Sequence, residues 1–182
     1  MTARPRRRAL YGALGVAALV VLLVAVLATR SVAPGTVTSS SLGGKMAPPV
    51  AGTDIMTGKP ISLRSLRGRY VLVDFFASWC AACQSEAPQI EALLFGARRS
   101  HDLSIIGVDS TSDTNADARA FLERTGATYP AITDPGGKIA TEYGVASPPQ
   151  SFLVSPSGRI IGWIPGGIVA KTLAPYLSGA RA

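Results

Sequence analysis

Histidine and cysteine are almost missing from this chain of 182 residues, which has one His and two Cys. A structural zinc site takes about four Cys or His ligands, so Cys80, Cys83 and the distant His101 cannot build one. No metal and no other cofactor is expected. Two cysteines are also too few for a disulfide-stapled scaffold. Acidic residues are missing until Asp54, while Arg4, Arg6, Arg7 and Arg8 crowd the start and supply four charges of a formal net +7. The basic balance therefore reports an N-terminal arm rather than a nucleic-acid face, and no nucleic-acid partner is expected.

The segment after the arm gives it a topological meaning. Residues 9–28 are apolar and carry no charge. A helix of that length spans about 30 Å, the thickness of the hydrocarbon core of a bilayer. Arginines ahead of such a run hold the N-terminus in the cytoplasm and send the rest outside. A cleaved signal peptide is the competing reading, with Val26-Leu27-Ala28 as its cleavage site, but the run is longer than the usual apolar region of such a peptide. The expected organisation is a cytoplasmic basic arm at residues 1–8, a transmembrane anchor at 9–28, a flexible linker at 29–46 and one globular domain at 47–182. The linker's Ser, Thr, Gly, Pro and Ala composition continues to Pro49. Both readings put the domain outside the cytoplasm, on a single-pass anchor in the favoured one.

Within the domain, Val71 to Pro88 reads VLVDFFASWCAACQSEAP. Val71–Phe76 is apolar except for Asp74 and predicts a buried central strand. From Ala81 the composition turns helical, with Pro88 as a kink before an end near Ala97. Cys80 and Cys83 sit at the junction. A C-x-x-C pair at a helix start makes a reactive thiol, because the free N–H groups and the positive end of the helix dipole favour a thiolate on the first cysteine. The second, one turn on, can close a disulfide with it. That arrangement implies a part-exposed Cys80 as nucleophile and a less exposed Cys83 as resolving thiol.

The other segments supply a frame. Asp54–Leu63 predicts a hairpin around Thr57-Gly58-Lys59, and Leu66–Arg69 a basic turn. Ile105–Asp109 predicts a second buried strand, and Asn115–Thr125 a helix stopped by Gly126. Thr128–Ile132 is extended, Asp134–Gly137 a turn and Ile139–Tyr143 a short helix. Gln150–Val154 and Arg159–Ile164 form an antiparallel hairpin, and Ile168–Leu177 is a last helix. Strands alternating with helices and ending in a hairpin imply an α/β layer fold with a mixed sheet.

WC-x-x-C after the first long strand resembles the thioredoxin fold. The central string, DARAFLERTGATYPAITDPGGKIATEYGV and GVASPPQSFLVSPSGRII together resemble the membrane-anchored TlpA/ResA/CcmG (DsbE-like) group of extracytoplasmic thiol–disulfide oxidoreductases. The likeness covers roughly residues 47–178. Asp74 departs from the Asn that the group often has there and looks like thioredoxin itself. Phe76 stands where Trp is frequent, and Pro148 where a small residue is usual.

The resemblance implies roles that spacing alone does not. Pro149 matches the group's cis-proline opposite the cysteines, which would present the backbone at Pro148 to an extended substrate segment. Glu86 matches a glutamate that tunes the cysteines. Asp74, costly to bury unless used, matches the thioredoxin aspartate that trades a proton with the resolving cysteine. Trp79 offers an apolar wall and a contact for partner proteins.

The activity implied is reduction of protein disulfides, for example apocytochrome c cysteines, with electrons from a membrane thiol transporter of the CcdA/DsbD kind and the enzyme acting as a monomer. Two alternatives stay open. One is a disulfide-forming oxidase of secreted proteins. The other is a copper-binding chaperone, disfavoured because that group shows C-x-x-x-C and a metal-binding His beyond the position of His101. A peroxidase is disfavoured too, since no Cys follows a Thr-x-x pattern.

Overall fold

The computed structural model describes residues 5–29, 40–97, 103–109, 113–168 and 173. The chain divides into two compact units, Met1–Ala33 and Pro34–Ala182. In the first, helix α1 (Pro5–Thr29) carries the apolar run, and Leu14, Leu19, Val21 and Leu22 are all more than half exposed. Among the described residues, no helix is long and apolar enough to cross a membrane.

The second unit is built on a five-stranded mixed sheet in the order β5-β4-β3-β6-β7. Strand β3 (Tyr70–Phe76) is its centre. It runs parallel to β4 (Leu103–Asp109), which is parallel to β5 (Ala131–Thr133), and antiparallel to β6 (Gln150–Val154), which pairs antiparallel with β7 (Ile160–Pro165). Helix α2 (Ala81–Ala97, with Pro88 inside) links β3 to β4. Helix α3 (Asn115–Thr125) links β4 to β5, and α4 (Lys138–Tyr143) precedes β6. A two-stranded hairpin, β1 (Ala51–Thr53) with β2 (Pro60–Ser62), stands ahead of them. The predicted hairpin thus exists, with its first strand earlier than Asp54. The helix over Asn115–Thr125 has the predicted bounds, because Thr114 and Asp117 close a capping box and Gly126 takes the left-handed conformation that ends it.

The apolar run of β3 sits at the centre because both its faces are covered. Val71, Val73 and Phe75 point into one core with Phe152, Tyr143 and Ile160. Leu72 and Phe76 point the other way, into cores shared with Ile90 of α2 and with the cysteines. Side chains alternate along a strand, so Asp74 lies on the second face, the one covered by α2. Gly107 of β4 pairs with Asp74. A Cβ there would stand 2.9 Å from both the Phe76 ring and the Ala131 methyl, so only glycine fits.

The folded unit begins earlier than the linker composition suggests. Leu42 packs against the first core, and residues 44–47 bond to β7 and the turn before it through Gly44 N–H to the Ile160 carbonyl (2.8 Å) and Ala47 N–H to the Gly158 carbonyl (2.9 Å). The expected last helix, Ile168–Leu177, lies outside the described residues apart from Ile168 and Leu173, both buried in the second core. His101 also lies outside them.

Candidate active site

The end of β3 delivers the cysteines. After Phe76 the chain passes through Ala77-Ser78-Trp79 and enters α2 at Ala81, which puts Cys80 immediately before the helix and Cys83 in its first turn. They form a disulfide with Cα atoms 5.2 Å apart. The Cys83 N–H points at the Cys80 sulfur at 3.1 Å. That is the free amide of a helix start aimed at the atom that must carry charge as a thiolate.

Burial corrects one expectation. Cys80 is 6% exposed rather than part-exposed, and Cys83 3%, so the order is as predicted but both are more covered. The cover comes from Ile55 and Met56 at the turn of the β1–β2 hairpin, together with Phe121 and Phe76. A distant hairpin in the thiol pocket is something that no local pattern announces. Trp79 does stand out, at 58% exposure. Ser78, just before it, is clamped by Asp113, whose carboxylate accepts from the Ser78 N–H and, at 2.9 Å, from its hydroxyl. Gln84 donates to the Ser78 carbonyl.

Across the sheet the peptide bond Pro148–Pro149 is cis, as the resemblance implied. Pro149 is buried and its carbonyl accepts from the Gly166 N–H at 3.0 Å. Pro148 is half-buried.

Two carboxyls lie in the interior behind the disulfide. Asp74 is 2% exposed and accepts from the hydroxyl of Ser151, its register partner on β6, at 2.8 Å. Burial raises its pKa to about 6, although the Ser151 bond opposes the rise. Glu86 is 4% exposed, one turn after Cys83, and accepts from the Ile168 N–H at 2.7 Å. Its pKa is pushed up to about 8, first by burial and then by the charge of Asp74, against the pull of that N–H. Burial and mutual repulsion therefore keep the pair from ionising fully near neutral pH. Tyr129 faces the same charges and its hydroxyl is held neutral by burial and by Asp74, Glu91 and Glu86. A cleft of about 190 Å³ opens beside Glu86, between Ala82, Ser85 and Gln89 of α2 and Gly166–Ile168.

The structure thus sets Asp74 and Glu86 within electrostatic reach of each other, with Glu86 one turn of α2 from Cys83, and leaves Trp79 on the surface just before the cysteines. Glu86 is not the solvated helix residue that glutamates on helices usually are. Ser151, Asp113 and Ile168 are parts of the site that sequence reasoning missed. Only Ser151 left a signal, as a hydroxyl in the otherwise apolar run SFLV. No cluster among the described residues could hold a metal ion.

Comparison with known proteins agrees with this geometry. The profile of the AhpC/TSA family matches residues 44–162. The thiol:disulfide interchange protein HelX of Rhodobacter capsulatus is 35% identical over 146 residues, 77% of this chain and 80% of HelX. The thiol-disulfide oxidoreductase ResA of Bacillus anthracis is 33% identical over 134 residues, 74% of this chain and 76% of ResA. Among solved structures, the thioredoxin domain of a thiol-disulfide oxidoreductase from Bacteroides vulgatus superposes with a TM-score of 0.67 at 25% identity, covering 79% of this chain and all of that one.

Proposed function

The chain belongs to the AhpC/TSA family and is a thiol–disulfide oxidoreductase of the ResA/DsbE kind with Cys80 and Cys83 as its redox pair, and we propose that it works as a reductase of protein disulfides. In the reduced enzyme the Cys80 thiolate attacks one sulfur of a substrate disulfide. A mixed disulfide forms, and the second substrate sulfur leaves as a thiolate that takes a proton from water. Cys83 then gives its proton to ionised Asp74, directly or across one water, and attacks the Cys80 sulfur. The substrate's first sulfur leaves with the electron pair, and the enzyme is left in the Cys80–Cys83 disulfide form seen here. A donor dithiol returns two electrons by the reverse exchange. Trp79 and the cis Pro148–Pro149 edge receive the substrate strand.

The observation that carries the reductase direction is the buried carboxyl pair. An oxidant of this kind is strong because its reduced, thiolate form is stabilised. Here two buried carboxyls that resist full ionisation sit on the α2 side of β3, one of them a turn from Cys83, and the dipeptide Ala81-Ala82 supplies no cation. That environment disfavours the thiolate and makes the disulfide the preferred state, which is a reducing potential.

The resemblance extends the proposal. The substrates would be apocytochrome c cysteines or similar extracytoplasmic disulfides, and the donor a membrane thiol transporter of the CcdA/DsbD kind. Residues 9–28 would anchor the enzyme, uncleaved, with the catalytic unit on the outer side. The uncharged apolar run of residues 9–28 behind four arginines is what supports that reading, while no helix among the described residues is long and apolar enough to cross a membrane.

The test is the reduction potential of the unit Pro34–Ala182, equilibrated against a dithiothreitol series. A value near about −270 mV, that of thioredoxin, is expected. A value near about −120 mV, that of a strong oxidant, would overturn the reductase and leave a disulfide-forming enzyme.

A further inference from the structure

The pole of the sheet opposite the disulfide is built from three segments that contain no Asp or Glu: residues 40–50, 63–70 and 154–160. The topology brings them together. β3 starts at Tyr70 and runs toward the cysteines, and β6 runs back to Val154, which pairs with Val71. The turn after β6 reaches Arg159, which bridges to Met46. Hydrogen bonds join the three: Gly68 N–H to the Pro156 carbonyl at 3.0 Å, Ile160 N–H to the Lys45 carbonyl at 2.9 Å and Leu63 N–H to the Val50 carbonyl at 2.8 Å.

Lys45, Arg64, Arg67, Arg69 and Arg159 are all exposed on this pole. Two of them are held in place by neutral partners. Arg159 donates to the Gly44 carbonyl at 2.9 Å and Arg67 to the Ser157 carbonyl. A carbonyl orients a guanidinium without cancelling its charge, and each keeps free donors. A cavity of about 370 Å³ on this pole is lined by Arg64 and Arg67 together with Ala47, Pro49 and Leu63. Met46, 47% exposed, stands at its edge in the sequence.

We infer that this pole docks on anionic phospholipid headgroups. The five cations meet the negative surface potential, and the cavity that Arg64 and Arg67 help to line accepts a headgroup phosphate. The membrane is the occupant favoured because the segment that forms the pole, residues 40–50, is the one that leads out of residues 9–28. The inference rests on the anchor proposed above. Docked by this pole, the enzyme would hold its disulfide at the far end of β3, facing away from the bilayer and toward soluble partners.

The experiment uses the full chain in nanodiscs of pure phosphatidylcholine and of phosphatidylcholine with phosphatidylglycerol, read by hydrogen exchange. Docking predicts severalfold slower exchange at residues 63–69 and 155–159 in the anionic discs only. That protection should be lost in high salt and in the variant Lys45→Gln/Arg64→Gln/Arg69→Gln, whose substituted side chains hold none of the bonds named above. Equal exchange in the two discs, or protection spread evenly over the cysteine pole as well, would overturn docking while leaving the anchor intact. A chain that does not co-elute with either disc would overturn the anchor and the inference together.

Discussion

The two ends of β3 are some six residue steps, or about 20 Å, apart, and they use charge in opposite ways. At the thiol end the two groups behind the disulfide are acidic and buried, although the exposed Arg119 donates to the Ile55 carbonyl nearby: Asp74 and Glu86 are nearly out of reach of solvent, and their pKa values rise because the interior disfavours an anion. At the other end the charged groups are basic and exposed, and two of them, Arg67 and Arg159, are held by carbonyls. A buried charge does local work, since it changes the protonation and the redox preference of whatever lies beside it. An exposed charge acts outward, on a surface or a partner, and is screened within about 8–10 Å of salt water. One strand therefore separates a chemical end from a docking end.

The largest effect expected is at the chemical end. Cys80→Ala should lower reduction of a protein disulfide to the rate in buffer, whereas Cys83→Ala should keep the first attack and accumulate mixed disulfides, seen on non-reducing gels. Turnover in the Cys80 variant would remove that residue as nucleophile.

The carboxyl pair gives the next effect, in stability. Both groups have native pKa values above their ordinary ones, so between roughly pH 4 and pH 8 the native state binds more protons than the unfolded chain. Stability should therefore fall as pH rises through that window, by a few kcal/mol in total. Urea midpoints of the oxidised protein, whose cysteines do not titrate, should be higher at pH 5 than at pH 8. Glu86→Gln should flatten the upper part of the slope and Asp74→Asn the lower. A wild-type midpoint that stays level across the window would mean that the two carboxyls are solvated.

The smallest effect sharpens the contrast. The triple variant Lys45→Gln/Arg64→Gln/Arg69→Gln should leave the reduction potential and the rate on a soluble disulfide unchanged, because two Debye lengths separate these cations from the sulfurs. A shifted potential would show that the two ends are coupled through the sheet.

The sequence displayed the chemical end better than the docking end, for a physical reason. Cys80, Cys83, Trp79 and Asp74 stand within one strand-to-helix turn, so local pattern suffices. Helix α3 was readable for the same reason, with its cap, its buried Ala118, Phe121 and Leu122 and its stopping glycine all in one run. Glu86 was harder. A glutamate on a helix is ordinarily wet, and what buries it is Ile168, 82 residues away. The cover over Cys80 comes from the turn of a hairpin that the sequence announces, but whose place against the thiols no local pattern shows. The basic pole exists only once residues 40–50, 63–70 and 154–160 are assembled, and no window of the sequence contains all three.

The clamp of Asp113 on Ser78 has a consequence for anyone who would cut this chain down. Asp113 stands one residue before the cap of α3, so that helix, although it lies between two strands of the sheet like an insert, carries the partner of an amide two residues from Cys80. A shortened version in which β4 is spliced directly to β5 would leave that amide without its acceptor. Helix α3 is thus part of the thiol loop's scaffolding, and a minimal redox module must either keep it or supply a substitute carboxylate from elsewhere.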